Sequence, residues 1–284
     1  MSSHAEATEA FRKAMFDSIG YAPDDITPSG DLTRFEIDGK LNGWYVLHID
    51  GRAAGSFGDW KQGIKIRWKM QGNYPRLSDS QQADSKIESH RQKLARQTEE
   101  AAKHIAAATK AVFIWNNAKA ALPNHPYLIR KHIGIHGARL GRDNTLIIPL
   151  QNSKNEIVNL QFISEAGEKR FLSGGRKKAC FYILGGNTEK ILIAEGFATG
   201  CSLFDAKGFL TVIAFDCGNL EHVAIEIRKL YPNAEIVIAG DNDLSGVGQK
   251  AARDAALAVG GKYLIPPSAS SDWNEELSNG GSHE

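Results

Sequence analysis

The chain has 284 residues, 42% of them hydrophobic and 24% charged, with a formal net charge of +1. That length supports one large or two modest domains with cores of their own, and the composition excludes collagen-like and charge-driven disordered chains. No apolar run approaches the roughly eighteen residues of a membrane helix, and the opening MSSHAEATEAF has no basic segment leading into an apolar one, so the sequence reads as cytoplasmic with no membrane partner.

The near-neutral total conceals an uneven distribution. Net charge is +2 over residues 1–120, +6 over 121–180 and −7 over 181–284. A basic segment feeding an acidic one is what a phosphate channel leading to a metal site requires, although a solvated acidic face would look the same. Cys180, Cys201 and Cys217 are widely spaced among apolar residues, the pattern of buried reduced thiols and not of a disulfide framework or a zinc site.

In chain order, residues 4–20 carry apolar positions at helical spacing. Three strand-like runs follow, at 32–37, 43–49 and 63–70. In the last, Ile64, Ile66 and Trp68 alternate with Lys65, Arg67 and Lys69, so one face is apolar and the other cationic. With Trp60 nearby, the stripe suits either a nucleic-acid contact or an ordinary solvated face.

After the polar stretch QGNYPRLSDSQQADS, residues 86–122 lack Pro and Gly and predict one long helix, anchored through Ile105, Ala108, Val112 and Trp115 and ended by Pro123. A short helix in 125–137 is followed by strands at 145–150, 156–163, 169–172 and 180–184 joined by turns, an antiparallel subdomain. Lys169, Arg170, Arg176, Lys177 and Lys178 form its basic cluster, beside a glycine turn whose amides suit template or nucleotide phosphates, the alternative being a merely solvated turn. The expected division is 1–80 β-rich module, 81–122 helical spacer, 123–187 basic subdomain and 188–284 a final α/β domain.

In that last segment two apolar runs end abruptly in acids: ILIAEG delivers Glu195 and IVIAGDND delivers Asp241 and Asp243. Buried parallel strands present carboxylates in this way at the C-terminal edge of a sheet. Residues two apart on an extended segment point the same way, so Asp241 and Asp243 can share a hard cation. A third run, TVIAF, precedes Asp216, which is either a fourth acid at the site or a simple helix cap, with Asn219 at the next helix N-terminus.

The order strand-Glu-Gly, helix, strand, helix, strand-Asp-x-Asp, helix resembles the Toprim domain of bacterial primases, topoisomerases and some nucleases. EGFATG is similar to the EGYATA box of satellite-phage and conjugative-plasmid primases, with Phe197 for the tyrosine and Gly200 for the last alanine. HPYL, the strands with IP and LQ, KRFLSGGRK and FGDW extend the resemblance over most of the chain, and SDWN near the C-terminus is similar to the D-x-N that follows the last Toprim strand.

The resemblance implies an α/β fold: a Rossmann-like parallel sheet with helices on both faces, preceded by an antiparallel subdomain, a long helix and an N-terminal β-rich module. It implies a DNA primase, a nucleotidyltransferase making RNA primers from ribonucleoside triphosphates on single-stranded DNA. Glu195, Asp241 and Asp243, with Asp216, would hold Mg²⁺ or Mn²⁺, and Glu195 would act as ligand or as base. A Toprim nuclease or nicking enzyme, or a non-catalytic single-strand-binding accessory, are the alternatives. No G-x-x-x-x-G-K-[ST] occurs, so a replicative helicase would be a separate partner.

Overall fold

The computed structural model describes residues 4–49, 52–71 and 79–280. The chain forms two compact units, residues 1–88 and 89–284. Part of the polar stretch after the third expected strand, residues 72–78, lies outside the described residues.

In the first unit, α1 (His4–Ile19) covers one face of a four-stranded antiparallel sheet in the order β1 (Thr33–Ile37), β2 (Lys40–His48), β3 (Ala54–Asp59), β4 (Ile64–Lys69). Ala7, Phe11 and Met15 recur at helical spacing and are buried. The Phe11 ring meets Phe57 and Trp68 edge-on at 5.5 and 5.1 Å. That approach needs Gly55, because a Cβ there would lie 2.7 Å from the Phe11 ring. The sequence pattern misses β3: its AGSFGD residues are too small and glycine-rich to read as a strand.

The second unit begins within α2 (Asp79–Asn117). This helix starts earlier than expected and ends five residues sooner. Ala118 turns back to the Trp115 carbonyl, and β5 (Lys119–Ala120) then pairs with β6 (Arg139–Leu140), so Pro123 does not terminate the helix. Its anchoring stripe is also displaced. Ile105 and Val112 are exposed, whereas Ala107 and Ala111 are buried, and Ala111, Ile114 and Trp115 pack with Ile147 and Leu160. Small residues let the helix approach the sheet closely enough for His104 Nδ1 to reach the Gly174 carbonyl at 2.9 Å.

α3 (Pro126–Lys131) follows, capped by His125, whose Nδ1 accepts the Tyr127 N–H while Nε2 donates to the Asn144 carbonyl at 2.7 Å. β7 (Leu146–Gln151), β8 (Ile157–Ile163) and β9 (Lys169–Phe171) complete an antiparallel sheet ordered β5-β6-β7-β8-β9. The next strand, β10 (Tyr182–Ile183), does not join it as the sequence suggested. It pairs antiparallel with β12 (Phe209–Ile213) of the C-terminal sheet, while the Gln151–Phe181 bridge just before it and the packing of Tyr182 on the β7 core link it to the earlier sheet.

The C-terminal sheet comprises β10, β12 (Phe209–Ile213), β11 (Asn187–Ala194), β13 (Glu235–Ala239) and β14 (Lys262–Leu264) in that spatial order, the last four parallel. Strand alternation sorts its side chains to two faces. Ile191, Ile193, Ile236 and Ile238 meet α5 (Leu220–Leu230) and α6 (Val247–Ala258). Leu192, Ala194, Val237 and Ala239 turn the other way, towards α4 (Phe197–Lys207) and α7 (Trp273–Gly280). This is the parallel sheet with helices on both faces that the sequence implied. Among the described residues no helix is long and apolar enough to cross a membrane.

Candidate active site

The C-terminal ends of the three inner strands converge on one edge. β11 and β13 are in register through Ala194↔Ala239, so Glu195 and Asp241 emerge on neighbouring strands one and two residues beyond the ladder. β12, on the other side of β11, leads through Phe215 to Asp216. Phe215 sits at φ +73°, a left-handed conformation unusual for an aromatic residue. Such strain persists where surroundings impose it, here in the turn that carries Asp216.

Glu195 and Asp241 are poorly accommodated as anions. Burial, followed by the charges of Asp241 and Asp216, pushes the Glu195 pKa up to about 7, against the lowering pull of Lys169 and of the Cys217 backbone N–H. Burial, then Asp272, raises Asp241 to about 6, again with Lys169 opposing. Asp241 Oδ1 is buried and has no hydrogen-bond partner among the described residues. Two partly buried carboxylates, one with an unsatisfied oxygen and both under the influence of the same ammonium, form a pocket of negative potential suited to a hard divalent cation. Among the described residues no three His, Cys, Asp or Glu side chains are already gathered as a metal cage, so the four acids named from the sequence do not stand together as one ligand set.

Asp243, held by its own loop, and Asp216, paired with Lys177, are engaged elsewhere. Asp243 Oδ2 accepts the Gly248 N–H at 2.7 Å and its Oδ1 the Ser245 N–H at 2.9 Å, with the Ser245 hydroxyl also donating. Burial alone would raise its pKa; the Ser245 and backbone hydrogen bonds outweigh that and lower it. The carboxylate therefore organises the first turn of α6. A Cβ on Gly248 would stand 2.6 Å from Asp243 Oδ2. Asn242 between the acids donates to the Pro266 and Ser268 carbonyls at 2.9 and 3.0 Å, pinning the loop that leads to α7.

The expected basic residues separate into groups. Lys169 lies beside the site, where its charge lowers the Glu195 and Asp241 pKa values, its Nζ 3.6 Å from where a Cβ on Gly196 would be. Lys177 pairs with Asp216 and lies 5.0 Å from the centre of the Phe171 ring. Arg176 instead donates to Cys180 Sγ at 3.3 Å, and Arg170 lies over Phe162. Lys178 is exposed. In the first unit Lys65, Arg67 and Lys69 occupy the exposed positions of β4. Cross-strand register places Arg34, Trp44, Gly58 and Lys65 in one row on the face opposite α1. Trp60 is not a free platform: it stacks on Trp44 at 6.0 Å and lies under the Arg34 guanidinium at 4.4 Å.

Two further residues shape the site. Asp272 caps α7 through the Glu275 N–H, lies 3.8 Å from Lys131 and raises Asp241 electrostatically. Asn274 is buried and donates to the Lys131 carbonyl and Ser202 Oγ at 2.7 and 2.8 Å, tying α7 to α3 and α4. The SDWN stretch is the only sequence signal for either. Asn219, expected to cap a helix, instead accepts the Ala179 N–H and donates to the Cys180 and Ala214 carbonyls.

Residues 190–283 match the family model of the Toprim domain. A DNA primase TraC from Escherichia coli is 34% identical over 251 residues, covering 82% of this chain and 23% of the relative. A second TraC from the same organism is 32% identical over 287 residues, covering 94% of this chain and 20% of the relative. The chain thus spans under a quarter of the length of these relatives. Among solved structures, the primase fragment of the bacteriophage T7 primase-helicase overlaps 58% of this chain and 77% of its own, with a TM-score of 0.45 and 16% identity. The DnaG primase catalytic domain bound to ssDNA covers 64% and 77%, with a TM-score of 0.45 and 11% identity.

Proposed function

With residues 190–283 a Toprim domain, we propose that this chain is the catalytic module of a DNA primase, joining ribonucleoside triphosphates into short RNA primers on a single-stranded DNA template. The observation that carries the reading is the partly buried pair Glu195 and Asp241 on adjacent strand ends, both under the influence of Lys169. The sequence similarity to primases named TraC supports it over most of the chain.

Glu195 and Asp241 would hold Mg²⁺ or Mn²⁺, with Asp243 fixing the loop that presents Asp241 and Asp216 balanced by Lys177 at the flank. The cation would align a 3′-hydroxyl with an α-phosphate and offset charge on the attacking and leaving oxygens. Lys169 is placed to hold a phosphate oxygen beside the acids. Glu195, titrating near neutrality, is matched to taking the hydroxyl proton if it is not itself a ligand. Lys178 and Arg170, with the β4 stripe of Lys65, Arg67 and Lys69, would contact template phosphates, and a separate replicative helicase would open the duplex ahead.

Incubation with single-stranded DNA, labelled ribonucleoside triphosphates and Mg²⁺ or Mn²⁺ tests the proposal. Short labelled oligomers are the expected product. Shortened DNA would establish a nuclease instead, and retention of DNA without any product would establish a binding accessory.

A further inference from the structure

The two faces of the C-terminal sheet are not equally covered. On one, α5 and α6 lie side by side over the isoleucines of β11 and β13. On the other, α4 and α7 leave between them and β14 an apolar groove of about 520 Å³, with Leu192 and Val237 in its floor and Leu203, Phe209, Trp273 and Leu277 in its walls. Leu264, at the β14 side, is 51% exposed. The groove runs along the strands away from the acids, and its far end, where the strands begin, is ringed by Lys190, Lys207 and Lys262. Among the described residues lining it, Glu235 is the one acid, 3.6 and 3.1 Å from Lys190 and Lys262.

We propose that this groove is the docking site of a partner protein's short amphipathic helix, with large apolar residues at i and i+4 and acidic residues beside them. Charge argues for the acids, since three lysines against one glutamate leave the rim positive, and an acidic partner is drawn to it while a basic one is repelled. Shape argues for the helix. α7, already seated on this face, is itself such a segment: Trp273 and Leu277 pack inward at i and i+4 while Glu275 and Glu276 bind polar groups elsewhere. A further amphipathic helix alongside it would cover the Leu192 and Val237 floor that α4 and α7 leave open beside β14. Because the groove opens away from Glu195 and Asp241, docking there leaves the acidic edge free. The inference does not depend on which reaction those acids perform.

The test selects helical peptides about four turns long from an unbiased display library on the intact chain. Recovered peptides are titrated by fluorescence anisotropy against wild type, Leu264→Asp and Lys207→Glu, each variant first shown to keep the wild-type melting temperature. Both substitutions are at exposed positions. The expected result is peptides with paired apolar residues and an excess of acids, whose affinity falls about tenfold or more on Leu264→Asp, falls less on Lys207→Glu, and weakens as salt is raised. Neutral or basic consensus sequences, binding indifferent to both substitutions, or recovery of no peptide above background would each overturn it. Concentration-dependent self-association abolished by Leu264→Asp would do so too, assigning the groove to a second copy of the chain.

Discussion

The acidic edge of the C-terminal sheet and the basic face of the N-terminal sheet carry charge in opposite ways. At the acidic edge, Glu195 and Asp241 are partly buried, the charge of Asp241 raises the Glu195 pKa, and both carboxyls share the influence of one lysine. On the basic face, Lys65, Arg67 and Lys69 alternate along β4 with their heads in water. A buried charge is costly unless something compensates it, so its persistence identifies a place where a ligand supplies the compensation. Exposed charges cost little, act through their sum and tolerate replacement one at a time.

Breaking the acidic side should have the largest effect. Asp241→Asn is expected to lower primer synthesis by on the order of 10²–10³-fold, as loss of a preorganised electrostatic group does. It should also weaken Mn²⁺ binding in calorimetry while leaving the fold intact. Synthesis at the wild-type rate would remove Asp241 from the site.

The strain at that edge should next be visible as a pH dependence. Because the Glu195 pKa in the folded chain is raised to about 7 from an ordinary value of 4.5, the neutral acid is well tolerated below about pH 4.5, and stability is lost as pH rises through 7. Glu195→Gln should therefore match wild type near pH 4.5 and exceed it above pH 7 by up to about 3 kcal/mol. Saturating Mg²⁺ should narrow that gap by stabilising wild type. Denaturant melts across this range, with and without Mg²⁺, provide the check, and a gap that ignores both pH and metal would mean Glu195 is already compensated.

Gly248 sharpens the distinction between binding a cation and presenting the group that binds it. Gly248→Ala places a methyl group against Asp243 Oδ2 and the Asp241 carbonyl, at an expected cost of about 1–3 kcal/mol as the loop shifts. Primer synthesis should fall more than the melting temperature alone accounts for. Equal losses in both would make Asp243 purely structural.

The smallest effect is expected on the basic side. Reversing Lys65, Arg67 and Lys69 together should leave Mn²⁺ affinity unchanged and flatten the salt dependence of single-strand binding by about 0.7 in log–log slope for each phosphate no longer neutralised. An unaltered slope would mean that this face meets some other partner.

What the sequence made legible follows the same physical division. Glu195 and Asp241 could be read because a buried parallel strand is a continuous apolar run, and an acid ending such a run is conspicuous. Lys169 could be assigned to a basic cluster, yet its separation from Arg170 and Arg176 depends on how β9 meets the C-terminal sheet, which no local pattern encodes. Asp243 looked equivalent to Asp241 because spacing does not reveal that its oxygens are taken by Ser245 and Gly248. The end of α2 was misplaced because AKAAL continues a helical composition, whereas the two-residue β5 is stabilised only by pairing with β6. Residues near α2's end belong to the core of the second unit, through Ala111 and Trp115.

Asn219 has a consequence for how the second unit comes apart. Its amide joins Ala179 and Cys180, the approach to β10, to Ala214, the exit from β12, and at 3% exposure it has no water to substitute for those partners. Pulling the approach to β10 away from β12 would therefore strand three backbone groups and a carboxamide at once, and one apolar core joins Leu146, Ile148 and Ile163 to Phe197 and Ile213 across the two sheets, a combined penalty that discourages partial opening. Amide hydrogen exchange across residues 146–163 and 191–239 should accordingly report a single cooperative unfolding unit, in which the basic and acidic segments are protected, and exposed, together.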